Sequence, residues 1–226
     1  MEPVLLSRDG SRHVTNEVAN TVTHLAAACF ALLGSVLLIA KASSESKPWS
    51  IAAFSIYGVS LVGMFALSTL HHGLNSSDRV NRLFRTLDYA SIFALIGGTV
   101  TPISLILYRN IYGWSVFGVV WAIAALGITL RAVHHALPKY ITNTLFIVLG
   151  WLPAVLVLVG GTSLPWGGLA LLGLGGVLYS VGFVLFVVER PNPLPGRFGF
   201  HEIWHVMVAL AAASHYLFMY WYVLPK

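Results

Sequence analysis

Two histidines near the carboxyl end of the chain have the spacing of metal ligands. His201 and His205 are four residues apart, so on a helix both rings lie on the same face, one turn from each other. Imidazole nitrogens are common zinc ligands, and two at this spacing suit one ion. Pairs of this kind also occur as simple hydrogen-bonded or interfacial pairs, so a metal site needs further ligands from elsewhere in the chain.

Other apolar segments carry residues that would complete such a site. His72 ends one segment and would supply a third nitrogen, which leaves a fourth tetrahedral position for water. Ser68 lies one turn before His72 and would hydrogen-bond that water or a developing oxyanion. Asp88 begins the next segment, and its carboxylate would orient or deprotonate the water. Together these residues predict a metal centre of the open, catalytic type.

The elements that must position these residues are membrane-spanning helices. Of the 226 residues, 57% are hydrophobic and 9% are charged, whereas a water-facing surface needs roughly 25–35% charged residues. The net charge of +5 does not indicate a nucleic-acid partner, because the lysines and arginines are scattered singly between apolar runs. The single cysteine, Cys29, excludes an internal disulfide and is interpreted as a small buried residue of the first helix.

Seven apolar runs follow a polar segment, residues 1–16, which is predicted to be a cytoplasmic tail rather than a signal peptide. Each run is long enough to cross about 30 Å of hydrocarbon. The predicted spans are Ala19–Ala40, Ile51–His72, Leu87–Leu107, Trp114–Val133, Ile141–Gly160, Trp166–Val188 and His201–Val223. Short loops separate them, so we predict an all-α membrane protein with one seven-helix transmembrane domain over residues 17–226.

The positive charges predict the orientation of this bundle. Nine of the 13 lysines and arginines fall on the side of the amino terminus, which predicts a multi-pass protein of the cell membrane with its amino terminus in the cytoplasm and its carboxyl terminus outside. The ionisable residues of different helices then gather at the cytoplasmic end, and such residues inside a bilayer are candidates for a functional site.

Some histidines and prolines are predicted to have structural roles. His71, His134 and His135 lie at or just past helix ends, where head-group or helix-dipole contacts are expected. His215 lies about 20 Å along the helix from His201 and is expected to be packed or hydrogen-bonded outside the site. Two prolines inside predicted spans are expected to kink them; they are Pro102 and Pro153.

Four motifs occur in order on these segments. They are Glu17-x-x-Asn20-x-x-x-His24, Ser68-x-x-x-His72, Leu87-Asp88-Tyr89 and His201-x-x-x-His205. The set resembles the progestin and adiponectin receptor family, and more narrowly its bacterial branch, the hemolysin III-like proteins. The resemblance implies zinc bound near the cytoplasmic face by His72, His201 and His205, with Asp88 in contact with the water on the metal. It implies a supporting role for three residues of the first motif, which are Glu17, Asn20 and His24.

This resemblance extends to the alkaline ceramidase-like membrane hydrolases, which implies hydrolysis of an amide or ester in a membrane lipid. We therefore predict a zinc hydrolase in which Asp88 is the base and Ser68 supports the oxyanion. Two alternatives stay open: a non-enzymatic membrane regulator or receptor-like protein with a structural zinc, and a haem-binding membrane cytochrome. The last ranks lowest, because haem needs axial ligands on opposite sides of its ring whereas His201 and His205 share one helix face. The sequence carries no signal for the oligomeric state.

Overall fold

The computed structural model describes residues 15–133, 138–160 and 164–226, and most of these residues are helical. The helices are α1 Glu17–Ser44, α2 Pro48–Gly73, α3 Asp78–Pro102, α4 Ile111–Val133, α5 Lys139–Trp151, α6 Ala154–Val159, α7 Trp166–Val188 and α8 Phe200–Phe218. They give 7 spans that are long and apolar enough to cross a membrane, and the fifth span combines α5 with α6. The prediction of an all-α, seven-helix membrane protein is confirmed.

Two prolines interrupt the spans in different ways. Pro102 is the last residue of α3, and a π-helical turn, Ile103–Leu107, continues the span. Pro153 separates α5 from α6, so the fifth span is broken rather than merely bent. Both effects follow from the missing N–H of proline and from the clash of its ring with the preceding turn. A second π-helical turn, Met219–Val223, ends the span of α8.

The predicted span limits are least accurate at the start of α3. This helix begins at Asp78 rather than at Leu87, so Arg79, Arg82 and Arg85 lie in its first turns and not in a loop. A search for apolar runs stops at charged residues, but a helix can extend past the hydrocarbon because long arginine side chains reach the head groups. By contrast, the bounds of α7 are those predicted, Trp166–Val188.

The helices that carry the candidate site are neighbours in the bundle. Helix α1 packs against α2 and α8, and α2 packs against α3. Small residues allow some of these close approaches: a Cβ atom added at Gly58 of α2 would meet the side chain of Ser35 of α1 at 2.7 Å. Aromatic residues such as Phe54 and Phe65 of α2 are almost completely buried.

Large apolar side chains also cover the outside of the bundle. Leu158 and Trp166 are 83% and 86% exposed, as expected for surfaces that face lipid. Cys29 is exposed on α1, so the prediction that it is buried is wrong. Its neighbours Phe30 and Leu33 are exposed as well, because no helix among the described residues packs against this side of α1, and hydrophobicity alone does not distinguish a lipid-facing position from a buried one.

Candidate metal centre

Three histidine side chains meet at one end of the bundle, where α2 ends and α8 begins. One ring nitrogen from each of His72, His201 and His205 lies within 4.8 Å of the other two. All three residues are buried, with 3–4% of their surface exposed. Among the described residues, the histidine, cysteine or acidic side chains that lie close enough together to hold one metal ion are these three.

The distances within this group fit a metal ion. The Nε2 atoms of His201 and His205 are 3.1 Å apart, and two nitrogens bound to one tetrahedral zinc are separated by about 3.3 Å. The same distance also suits a hydrogen bond between a protonated and an unprotonated nitrogen. The ring of His72 contacts both other rings edge to face, with centroid distances of 5.1 Å to His201 and 4.7 Å to His205.

Glu17, the first residue of α1, holds the ring of His72. Its Oε2 atom lies 2.6 Å from Nδ1 of His72, and a carboxylate in the first turn is also favoured by the helix dipole. Histidines that bind a metal through one ring nitrogen usually donate the N–H of the other nitrogen to a carboxylate of this kind. The arrangement therefore suits His72 as a ligand through Nε2.

His24 of α1 packs flat against one of the three histidines. Its ring is stacked on that of His205, with centroids 3.7 Å apart and planes 20° apart, and Phe65 contacts it edge-on. Both nitrogens of His24, and Nδ1 of His205, are buried without a hydrogen-bond partner among the described residues. Buried nitrogens of this kind are costly, and they are expected where a metal, a water or a ligand completes the site.

Glu202 is a site residue that is not one of the named positions of the four sequence motifs. Its Oε1 atom accepts hydrogen bonds from the backbone N–H of Asn16 at 2.6 Å and from Nδ2 of Asn20 at 3.3 Å. Its Oε2 atom accepts the N–H of Gly199 at 2.7 Å. Glu202 therefore joins the start of α1 to the start of α8, which brings His24 against His205. The feature of the sequence that points to this role of Glu202 is its position, three residues after the residue that caps α8.

The two residues predicted to act on the substrate lie on α2 and α3. Ser68 is buried one turn before His72 on α2. Asp88 is half-buried on α3 and is not a member of the three-histidine group. It is close enough to interact electrostatically with His71 and with Arg131 of α4.

The remaining histidines lie outside this group. His71 is buried beside His72, with ring centroids 4.7 Å apart. Nε2 of His215 lies 3.3 Å from the carbonyl oxygen of Leu172 on α7, as expected for a packed, hydrogen-bonded residue. The predicted contacts of His134 and His135 fall outside the described residues.

Seven apolar spans with three buried histidines at one end define a multi-pass membrane protein with a candidate metal site. Residues 12–216 match the family described as Haemolysin-III related, and the chain belongs to this family.

Similarity to known proteins extends along most of the chain. It is 34% identical to Hemolysin-3 of Bacillus cereus over 215 residues, which is 95% of each protein. It is 27% identical to human Monocyte to macrophage differentiation factor over 209 residues, 91% of this chain and 83% of the relative. It is 29% identical to the Adiponectin receptor protein of Drosophila melanogaster over 225 residues, 90% of this chain and 50% of the relative. These relatives confirm the resemblance to the progestin and adiponectin receptor family.

Proposed function

We propose that this protein is a zinc-dependent membrane hydrolase that cleaves an amide or ester bond of a lipid. The observation that carries the proposal is the group of three buried histidine nitrogens within 4.8 Å of one another. Three protein ligands with one open position are typical of catalytic rather than structural zinc. Zinc bound there would supply a nucleophile from water near neutral pH and polarise the carbonyl of the substrate.

Each polar residue near the group has a defined part in this proposal. His72, His201 and His205 would hold the ion, and Glu17 accepts the N–H at Nδ1 of His72 and so keeps the ring in place. The carboxylate of Asp88 accepts the proton that the attacking water gives up. The hydroxyl of Ser68 donates a hydrogen bond to the oxyanion that forms on the substrate carbonyl. Asn20 and His24 support the ligands through Glu202 and His205.

The depth of the site supports a lipid substrate. The ester and amide carbonyls of membrane lipids lie between the head groups and the acyl chains, and His72 and His201 lie at the ends of their spans, Pro48–Gly73 and Phe200–Val223. We propose that the lipid reaches the site sideways from the bilayer.

We further propose that this end of the bundle faces the cytoplasm and that the protein resides in the cell membrane. Arginines at or beyond the ends of the spans on the side of the site support this orientation, because cytoplasmic ends of membrane helices are enriched in positive charge. They are Arg79, Arg82, Arg85, Arg131, Arg190 and Arg197. Fewer basic residues lie at the opposite end, namely Lys41, Lys47, Arg109 and Lys226.

A second candidate function is that of a membrane regulator with a structural metal. The burial of the three histidines of the group, which are 3–4% exposed, favours this second function, because burial restricts the access of water to the metal site. The experiment that separates the two is lipid turnover by purified protein in mixed micelles, over a panel of ceramides, lysophospholipids and acyl esters. Zinc-dependent turnover that is lost on chelation and restored by zinc would support the hydrolase. Full zinc occupancy without turnover of any lipid of the panel would favour the regulator.

A further inference from the structure

A small cavity opens beside the histidine group, between the end of α2 and the start of α3. Its volume is about 220 Å³, and it is lined by His71, Asp78, Asn81, Arg82 and Arg85. It adjoins the candidate metal site, because His71 and His72 are consecutive and their ring centroids are 4.7 Å apart. The cavity is smaller than the roughly 300–1,000 Å³ of pockets that enclose whole drug-sized ligands, so it suits a lipid head group rather than an entire lipid.

The two arginines of the cavity differ from other basic residues of the bundle. At the opposite end, Lys41 and Lys47 both form ion pairs with Glu45, and the guanidinium of Arg109 stacks over Trp49. Within the described ranges, neither Arg82 nor Arg85 has a carboxylate within ion-pair distance. Guanidinium groups bind phosphate oxygens in a bidentate manner, so the pair is available for a phosphate.

The other walls of the cavity include a buried histidine and an asparagine that is held by the backbone. His71 is 5% exposed, and its ring makes no hydrogen bond to a described residue, so its N–H can be donated into the cavity. The side chain of Asn81 is held by the backbone of Ser76, whose N–H it accepts at 3.0 Å and to whose carbonyl it donates at 3.2 Å. A buried donor and a fixed wall distinguish this cavity from arginines that simply lie at a membrane surface.

Asp78 gives the cavity a negative group as well as two positive ones. A carboxylate there disfavours a ligand that carries only negative charge, but it complements a ligand that also carries an ammonium group. A phosphoethanolamine head group has both charges. We propose that the cavity binds the head group of a zwitterionic aminophospholipid, with its phosphate at Arg82 and Arg85 and its ammonium group at Asp78. The binding of the head group does not depend on the proposed function. The identification of this lipid as the substrate of the adjacent site does rest on it.

The proposal can be tested by lipid binding alone, without turnover. Purified zinc-loaded protein in detergent is titrated with phosphatidylethanolamine, phosphatidylglycerol and diacylglycerol of the same acyl chains, and bound lipid is counted by native mass spectrometry. We expect phosphatidylethanolamine to bind most tightly and diacylglycerol most weakly. The double variant Arg82→Gln/Arg85→Gln should weaken phospholipid binding at least about tenfold, because it removes charge-assisted hydrogen bonds. Asp78→Asn should remove the preference for phosphatidylethanolamine over phosphatidylglycerol.

Arg109→Gln is the matched control, because it removes the same charge at the opposite end of the bundle, and it should leave binding unchanged. Zinc content and thermal midpoint are measured for every variant, so that misfolding is detected. Unchanged phospholipid binding in the double variant would overturn the proposal, as would equal binding of diacylglycerol. Displacement of the lipid by equimolar inorganic phosphate or soluble phosphoethanolamine would assign the cavity to a free anion instead. Head-group binding without any turnover would count against the hydrolase and leave the head-group site intact.

Discussion

The carboxylate of Glu17 and the imidazole of His72 are 55 positions apart in the chain, yet Oε2 and Nδ1 lie 2.6 Å apart. The contact joins the first turn of α1 to the last turn of α2. Because it holds one nitrogen of a ring that touches both His201 and His205, it couples the geometry of the histidine group to the packing of α1 on α2.

Replacement of Glu17 by glutamine tests this coupling. The neutral amide is a weaker acceptor for the His72 N–H than a carboxylate, so we expect zinc affinity to fall about 10–100-fold, as for other metal sites that lose such a partner. The measurement is competition for zinc with a chromophoric chelator. Glu45→Gln is the control, since Glu45 is a carboxylate at the opposite end that pairs with Lys41 and Lys47. Equal affinities in the two variants would show that Glu17 does not support the ligand.

The ligand set itself predicts a pattern of zinc content. Wild-type protein should carry about one zinc per chain, and either His201→Ala or His205→Ala should remove it. The thermal midpoint should fall in both variants and in chelated wild type, because metal binding to the folded state adds to its stability. His215→Ala alters a histidine of the same helix that contacts α7 instead, and it should keep its zinc. Elemental analysis decides the matter, and full zinc retention in both ligand variants would refute the site.

Replacement of Glu202 is expected to lower the stability of the fold and not only the binding of metal. In Glu202→Ala the part-buried N–H of Asn16 and the buried N–H of Gly199 lose their acceptor, and the loss of the acceptor of a buried N–H costs about 1–3 kcal/mol. We expect a clear fall in the thermal midpoint of the zinc-free protein, where metal binding does not contribute. Glu45→Ala removes a partly exposed carboxylate whose ion pairs are worth little, and it should change the midpoint far less. Similar midpoints for the two variants would mean that Glu202 does not join α1 to α8.

The orientation predicts which side of the membrane each terminus occupies. A reporter that is active only outside the cytoplasm should work when fused after Lys226, and one that needs the cytoplasm should not, because an odd number of spans separates the termini. The reverse pattern would place the histidine group on the outer face.

The sequence was sufficient to predict the features that depend on residue type and helical period. Seven spans followed from apolar length, and the grouping of His72 with His201 and His205 followed from their positions at span ends. Features that depend on which helix lies beside which could not be predicted in this way. The exposure of Cys29 is one such feature, because lipid and a protein core favour the same apolar residues. The three hydrogen bonds of Glu202 are a second such feature. The early start of α3 was missed because its first turns are charged.

Asp88 provides the prediction that separates an enzyme from a regulator. It lies outside the three-histidine group, so Asp88→Asn should keep the zinc whichever function is correct. If Asp88 accepts a proton from the attacking water, the same change should slow lipid hydrolysis about 10²–10⁴-fold, since the amide cannot act as a base. The measurement is turnover of the lipid panel by wild type and variant, with zinc content determined in both.

The outcomes of this experiment bear on different parts of the mechanism. Turnover that survives in Asp88→Asn without loss would keep the hydrolase and remove Asp88 from the proton transfer. Ser68→Ala provides the comparison, because it removes a hydrogen-bond donor but no base, and the loss of one oxyanion donor costs about 10²–10³-fold.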